Sequence, residues 1–267
     1  IAGLPYEDYD SFGRSFDEIY ELKPNQLQLG FLKVLKGSYM FEHAAEYGIV
    51  YHDKPPYEVM STKWLSFDDV IKIKRVEDML EVYYNSGQFE ITMKLMECIF
   101  DSAFEFFQEL GDFYEANGYF GMSHSRIRRC EILLEFLALY LHGCDSDAMT
   151  SVVLSENAGD RDNTDFDENA QIYSMIQESL IFDLYYRENC KSRPVWATDI
   201  GSFKHMTHAY CKNGKLSHVE PFHYIFPYKH MRKLDELPKY NKEPVWALFH
   251  YDMRDPLDHQ ALVEYIK

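Results

Sequence analysis

Apolar positions fall at helical spacing through most of the chain and at alternating spacing only towards its two ends. Phe12, Phe16, Ile19 and Tyr20 stand at i, i+4, i+7 and i+8, which predicts an amphipathic helix that Asp8 can cap and Pro24 ends. Before it, Ile1-Ala2-Gly3-Leu4 is a short apolar stretch, with Pro5 pushing Leu4 extended ahead of the polar turn Tyr6-Glu7-Asp8. After it, residues 26–32 alternate, with Leu27, Leu29 and Phe31 on one face and Gln26, Gln28 and Gly30 on the other. Strand, helix and strand make a βαβ unit, whose two strands are parallel and need further strands beside them and cover on both faces. No such alternation resumes downstream, so the neighbouring strands are expected upstream of Ile1.

From Ser38 the pattern turns helical. A short helix over 38–47 closes at Gly48, and an extended Ile49-Val50-Tyr51 leads to the rigid Lys54-Pro55-Pro56-Tyr57 link. Ser66, Asp68 and Asp69 open a helix whose stripe Ile73, Val76, Leu80 and Tyr83 ends near Asn85-Ser86-Gly87. The spacing predicts one long helix over about 89–114, another over 125–142, and a third through Ile172, Ile176, Leu180 and Leu184 to about Asn189. Aromatic and β-branched runs at 222–226, 245–251 and 261–266 predict a small antiparallel sheet at the end. The expected fold is therefore α+β and helix-dominated, with a parallel remnant at one end and an antiparallel sheet at the other.

Charge narrows the function classes. Asp and Glu number 44 against 27 Lys and Arg, a net charge of −17. That argues against nucleic acid and membrane as partners, because both recruit basic surface. No apolar run approaches the roughly 18 residues of a membrane helix, since the best, 132–141, is broken by Glu135. Five scattered cysteines do not form a disulfide framework, and a cytoplasmic location is expected. The chain opens at Ile1 without a basic-then-apolar leader, so its start reads as an interior point of a longer chain.

The opening Ile1-Ala2-Gly3-Leu4-Pro5-Tyr6-Glu7-Asp8 resembles the I-x-G-L-P-G-E-T stretch late in the barrel of radical SAM enzymes. Phe12, Phe16 and the strand through Leu27 to Leu32 follow at family spacing. Leu35-Lys36-Gly37-Ser38-Tyr39-Met40 then stands where many of them, especially those with a cobalamin-binding domain, carry L-P-G-T-x-L, and Ala45-Glu46-Tyr47-Gly48-Ile49 continues it. Pro55-Pro56-Tyr57-Glu58-Val59, Tyr83-Tyr84-Asn85-Ser86-Gly87 and Arg193-Pro194-Val195-Trp196 resemble the uncharacterised C-terminal extension of bacterial cobalamin-binding-domain radical SAM proteins.

The resemblance implies that residues 1–52 end a radical SAM barrel and 53–267 form the uncharacterised domain. It further implies that Ile1, Gly3, Leu4 and Pro5 help hold the adenine of S-adenosylmethionine, at the strand ends where such barrels place their sites. A plain strand-to-helix turn requires the same Gly and Pro. Gln28 and Gly30 share a face and are the cofactor-binding candidates on the next strand. Pro55, Pro56, Tyr57 and Trp64 are the candidates for capping a substrate. The S-adenosylmethionine, [4Fe–4S] cluster and cobalamin implied for the full-length protein would be held with the upstream portion of the same chain, and the substrate is unknown.

Tyr6, Lys36 and Ser38 depart from the family pattern. The C-x-x-x-C-x-x-C motif is absent: no two cysteines lie closer than the 14 positions between Cys130 and Cys144. The chain by itself is thus expected to be catalytically incomplete, and to bind none of these groups alone. A competing reading is a non-catalytic acidic helical interaction module, and in either case open strand edges would suit a homodimer.

Two further groups of residues bear on metal. His205, His208 and Cys211 stand at i, i+3 and i+6, followed by His218 and His223, and are the densest set of zinc-type ligands, although the spacing departs from common zinc signatures. A helix with partly exposed histidines explains the first of them as well, and a histidine-dependent metalloenzyme is the third reading. Asp160, Asp162 and Asp165 lack the Gly and Glu of a calcium loop and read as a solvated acidic segment. Arg126, Arg128 and Arg129 could grip a phosphate or pair with the surplus carboxylates.

Overall fold

The computed structural model describes residues 1–142, 168–211, 216–227, 234 and 236–266. The polar segment at 160–165 and Cys144 lie outside them. The chain divides into two compact units, residues 1–87 with 96–122 and residues 88–95 with 123–267. This division does not fall at 52/53: residues 53–87 pack with the first unit.

In the first unit, helix α1 (Tyr9–Glu21) starts at Asp8, whose carboxylate accepts from Ser11 N, while Ser11 Oγ accepts from Asp8 N. Two short helices, α2 (Tyr39–Glu42) and α3 (Ala44–Tyr47), replace the single one expected over 38–47, and Gly48 closes them at φ +60°. Strands β1 (Val50–Tyr51) and β2 (Val59–Ser61) pair antiparallel. Helix α4 (Phe67–Leu80) is capped by Ser66 and runs into a π-helical turn over Glu81–Asn85.

Helix α5 (Glu90–Ile99) and helix α6 (Ala103–Ala116) stand where one long helix is predicted over 89–114. The break has a cause in the first unit. Ser102 Oγ accepts from Glu105 N and starts α6, and Asp17 of α1 accepts from Ser102 Oγ and Phe104 N at 2.8 Å each. The helix donors thus find side-chain acceptors instead of the preceding turn. Phe12, Phe16 and Tyr20 of α1 meet Phe104 and Phe107 of α6, ring centroids 5.5–6.2 Å apart. Burying such a ring is worth about 2 kcal/mol.

The predicted βαβ survives as one parallel bridge, Ala2 with Phe31. Ala2 N donates to Gly30 O at 2.7 Å and Leu32 N to Ala2 O at 2.9 Å. On the other side Val34 N donates to Tyr57 O and Val59 N to Leu32 O, both at 2.8 Å, around an antiparallel bridge of Lys33 with Glu58. There is no barrel among the described residues. Asn85 stands in for a strand: its side chain accepts from Leu27 N and donates to Leu27 O, at 2.9 Å each.

In the second unit, α7 (Arg126–His142) packs with α8 (Glu168–Arg187), and α9 (Lys204–Tyr210) precedes a three-stranded antiparallel sheet. Its strands β3 (Ser217–Phe222), β4 (Val245–His250) and β5 (Leu262–Ile266) lie in that order. The sheet is where the runs predict it, except that β3 ends at the residue where its run was expected to begin. Phe182 of α8 sits under it, 5.3–5.7 Å from the rings of Phe222, Phe226 and Phe249. Among the described residues the architecture is helix-dominated α+β with two small antiparallel sheets. No helix among the described residues is long and apolar enough to cross a membrane.

Candidate functional site

The expected cofactor residues lie together at the end of the first strand. Gly3 is buried at φ +89°, and a Cβ there would stand 2.6 Å from Val59 Cγ1. Both facts demand glycine for packing and turn geometry before any ligand is considered. Gly30 differs: the nearest atom to its would-be Cβ is Ile1 Cγ1 at 3.9 Å. Ile1 is 70 % exposed, Leu4 and Pro5 are half-buried, and Gln28 is exposed on the same alternating face as Gly30, opposite buried Leu29 and Phe31. The face above the backbone is therefore open at Gly30, beside Ile1, and filled by Val59 at Gly3. Glu7 follows the turn with one carboxylate oxygen shielded and without a partner, and burial pushes its carboxyl up from the ordinary range.

Beside this turn lies a group of rings that sequence reasoning found only in part. Tyr6, 74 % exposed and held at φ +69°, packs on Trp64 with centroids 4.6 Å apart. Tyr47 is 6.2 Å from both. Tyr39 stacks on His43 at 3.8 Å, and its hydroxyl lies 3.2 Å from that of Tyr47, which pushes the Tyr47 phenol up to about 12. Of the capping candidates, Trp64 joins this group. Pro55 and Pro56 are exposed, and Tyr57 holds the Val34 edge through its carbonyl.

The five zinc-type candidates are dispersed in the second unit. His205 and His208 are exposed on α9, with His205 edge-on to Trp246, and Cys211 follows the helix, its thiol pushed up by burial. His218 and His223 each face a carboxylate of their own. No group of three His, Cys, Asp or Glu able to hold a metal occurs among the described residues. Two of the arginines are likewise engaged: Arg126 binds Asp183 O and Leu184 O at 2.8 Å and pairs with Glu188, and Arg128 pairs with Glu131 and Glu135.

The carboxylates that occupy the two histidines are the residues the sequence concealed. Glu220 on β3 is 1 % exposed and takes both terminal nitrogens of Arg193 together with His218 Nε2. Arg193 also binds Thr198 O and the Tyr185 hydroxyl, so every N–H of its guanidinium has an acceptor. Glu178 on α8 accepts from His223 Nδ1 and N at 2.8 Å and from Tyr224 N at 3.2 Å, which raises the histidine above its usual range. Glu178, Arg193, Trp196, Glu220 and His223 line a cavity of about 220 Å³ within this unit. Deeper still, Asp183 accepts from Ile91 N, Thr92 N and Thr92 Oγ1 and caps α5; burial pushes its carboxyl up to about 7.

Residues 45–262 match the family described as a protein of unknown function, DUF4080. The chain belongs to this family. The match covers both the Tyr47–Trp64 pair and the Arg193–Glu220 cavity, and begins after the Gly3 turn. Comparison with curated proteins returned no match.

Proposed function

We propose that this DUF4080 chain is the C-terminal portion of a cobalamin-type radical SAM enzyme, ending the barrel that binds S-adenosylmethionine and adding a domain that caps the substrate. The observation that carries this reading is the parallel Ala2–Phe31 bridge joined through α1, with no strand paired to the outer edge at Ile1 and Gly3 among the described residues. Parallel pairs of this kind belong to larger covered sheets, so the edge calls for strands supplied by the upstream chain. The cluster does not fit the described residues, which include no ligand group for it; its thiolates would be upstream. The free face above Gly30, beside Ile1, suits a flat ligand, and at Gly3 the corresponding face is taken up by Val59.

The exposed rings favour a second reading, an interaction module, because contiguous exposed aromatic surface marks binding to another molecule. The coding sequence upstream of Ile1 separates the two: a C-x-x-x-C-x-x-C motif in frame supports the enzyme, and a start codon without one leaves the module. With the motif present, the complete protein, reconstituted anaerobically, is expected to cleave S-adenosylmethionine to 5′-deoxyadenosine. Tyr57→Ala and Trp64→Ala together should then lower substrate turnover; unchanged turnover refutes the capping role.

A further inference from the structure

Residues 25–29 lead into the strand end that carries the cofactor candidates Gln28 and Gly30, and little holds them. Leu29 alone of the five is buried, and Gln28 is exposed. Strand pairing starts only at Gly30 O, which accepts from Ala2 N. Among the described residues the backbone of 25–29 makes two hydrogen bonds, and both go to one side chain. Asn85 Oδ1 accepts from Leu27 N and Asn85 Nδ2 donates to Leu27 O, at 2.9 Å each.

Asn85 is itself fixed from several directions. It ends the π-helical turn Glu81–Asn85, and Glu81 Oε1 accepts the other N–H of its amide at 2.7 Å. On the same turn the buried Tyr83 hydroxyl lies 2.7 Å from that of Tyr114 in α6, and the Tyr84 hydroxyl donates to Pro24 O. Three successive side chains thus reach α6, the residue ahead of the strand segment, and the segment itself. Single π-helical turns of this kind recur at functional positions. Asn85 lies within the stretch that matches the family, and Leu27 lies ahead of it.

We infer that Asn85 is a positioning residue for S-adenosylmethionine: it holds the Leu27 peptide so that Gln28 and the free face above Gly30 are set before the ligand arrives. This role rests on the radical enzyme reading. Without the clamp, residues 25–29 become ordered only on binding, and the cost of ordering them is subtracted from the affinity. The family's region then does more than cap a substrate, because it fixes a cofactor strand that precedes it in the chain.

The complete protein, reconstituted anaerobically, tests this by S-adenosylmethionine titration and amide hydrogen exchange. Asn85→Ala should speed exchange at the Leu27 amide and weaken S-adenosylmethionine about tenfold, the worth of one to two ordinary hydrogen bonds. Ser102→Ala removes the cap of α6 in the same unit, and should lower the denaturation midpoint while keeping wild-type affinity. Should Asn85→Ala fail to fold, Asn85→Asp still accepts from Leu27 N but cannot donate to Leu27 O, and a severalfold loss is expected. The role is refuted if a folded Asn85 variant binds as wild-type does, or if Ser102→Ala weakens binding as much. Wild-type protein that binds no S-adenosylmethionine would instead remove the radical enzyme reading, and this role with it.

Discussion

The two units differ in how many polar side chains they bury fully. Among the described residues, the buried polar and charged side chains Thr92, Lys94, Ser179, Asp183 and Glu220 all belong to the second unit. The first unit encloses one ion pair, Lys23 with Glu97 at 3.0 Å, keeps others such as Lys74 with Glu58 nearer solvent, and displays rings at its surface. A carboxylate inside a protein must be given donors in fixed positions, because its lost hydration exceeds what one loose partner returns. The second unit meets that demand at three places: Asp183 of α8 takes donors from the start of α5, Glu178 of α8 takes them from the segment after β3, and Glu220 of β3 takes them from Arg193 and His218. Its polar groups are consequently structural before they are anything else, and the sharpest tests remove the partner of a buried charge.

Arg193→Met should have the largest effect. It leaves Glu220 buried with only His218 beside it, and loss of one member of a buried pair costs about 3–5 kcal/mol. The equivalent lesion in the first unit, Glu58→Gln opposite Lys74, should cost under about 1 kcal/mol. Chemical denaturation of both variants measures the contrast; equal losses would abolish it.

Asp183 gives the contrast a pH signature. Its folded-state value near 7, against an ordinary 3.8, means the folded chain holds a proton that the unfolded chain has lost between these limits. Stability from this group is therefore greatest below about pH 4 and falls as pH rises towards 7, by a few kcal/mol at roughly 1.4 kcal/mol per unit. Asp183→Asn should remove that slope. A slope unchanged in the variant would mean that the Ile91 and Thr92 donors hold the carboxylate ionised.

These partnerships explain what the sequence could reveal. The caps Asp8 and Ser66 and the stop at Gly48 were legible because each acts within a few residues of itself. The break before α6 was partly legible: Ser102 and Glu105 have cap spacing, but the apolar stripe runs straight across them, and Asp17 lies 85 positions from Ser102. The aromatic run at 222–226 looked like a strand and is not one beyond Phe222. His223 N and Tyr224 N go to Glu178, and Phe226 N goes to the Tyr265 hydroxyl. The histidines were visible, but the carboxylates facing them were not, because Glu178 and His223 are 45 positions apart.

Glycine substitutions separate packing from function in the first unit. Gly3→Ala forces a methyl group against Val59 in a left-handed conformation and should cost about 2–3 kcal/mol. Gly30→Ala meets only an ordinary contact at 3.9 Å and should change stability by less than about 0.5 kcal/mol. If the strand end holds the adenine as proposed, this second variant still weakens S-adenosylmethionine binding in the complete protein. Stable protein with unaltered binding would remove Gly30 from the site.

The smallest effect is expected at Tyr6. A tyrosine held at φ +69° carries a conformational cost of about 1 kcal/mol, which glycine would not. Against this, its ring gains about 1 kcal/mol from packing on Trp64 and Tyr47. Tyr6→Gly should therefore leave stability within about 1 kcal/mol of the parent, as read from the denaturation midpoint. A strained residue that contributes nothing net to the fold, 74 % exposed, is better explained by what it contacts than by what it supports. Loss of substrate turnover at unchanged stability would place the first unit's chemistry on its surface rings, whereas the second unit holds its charged groups inside. A large loss of stability would instead make Tyr6 a packing residue, and the two units would then differ less than their burial implies.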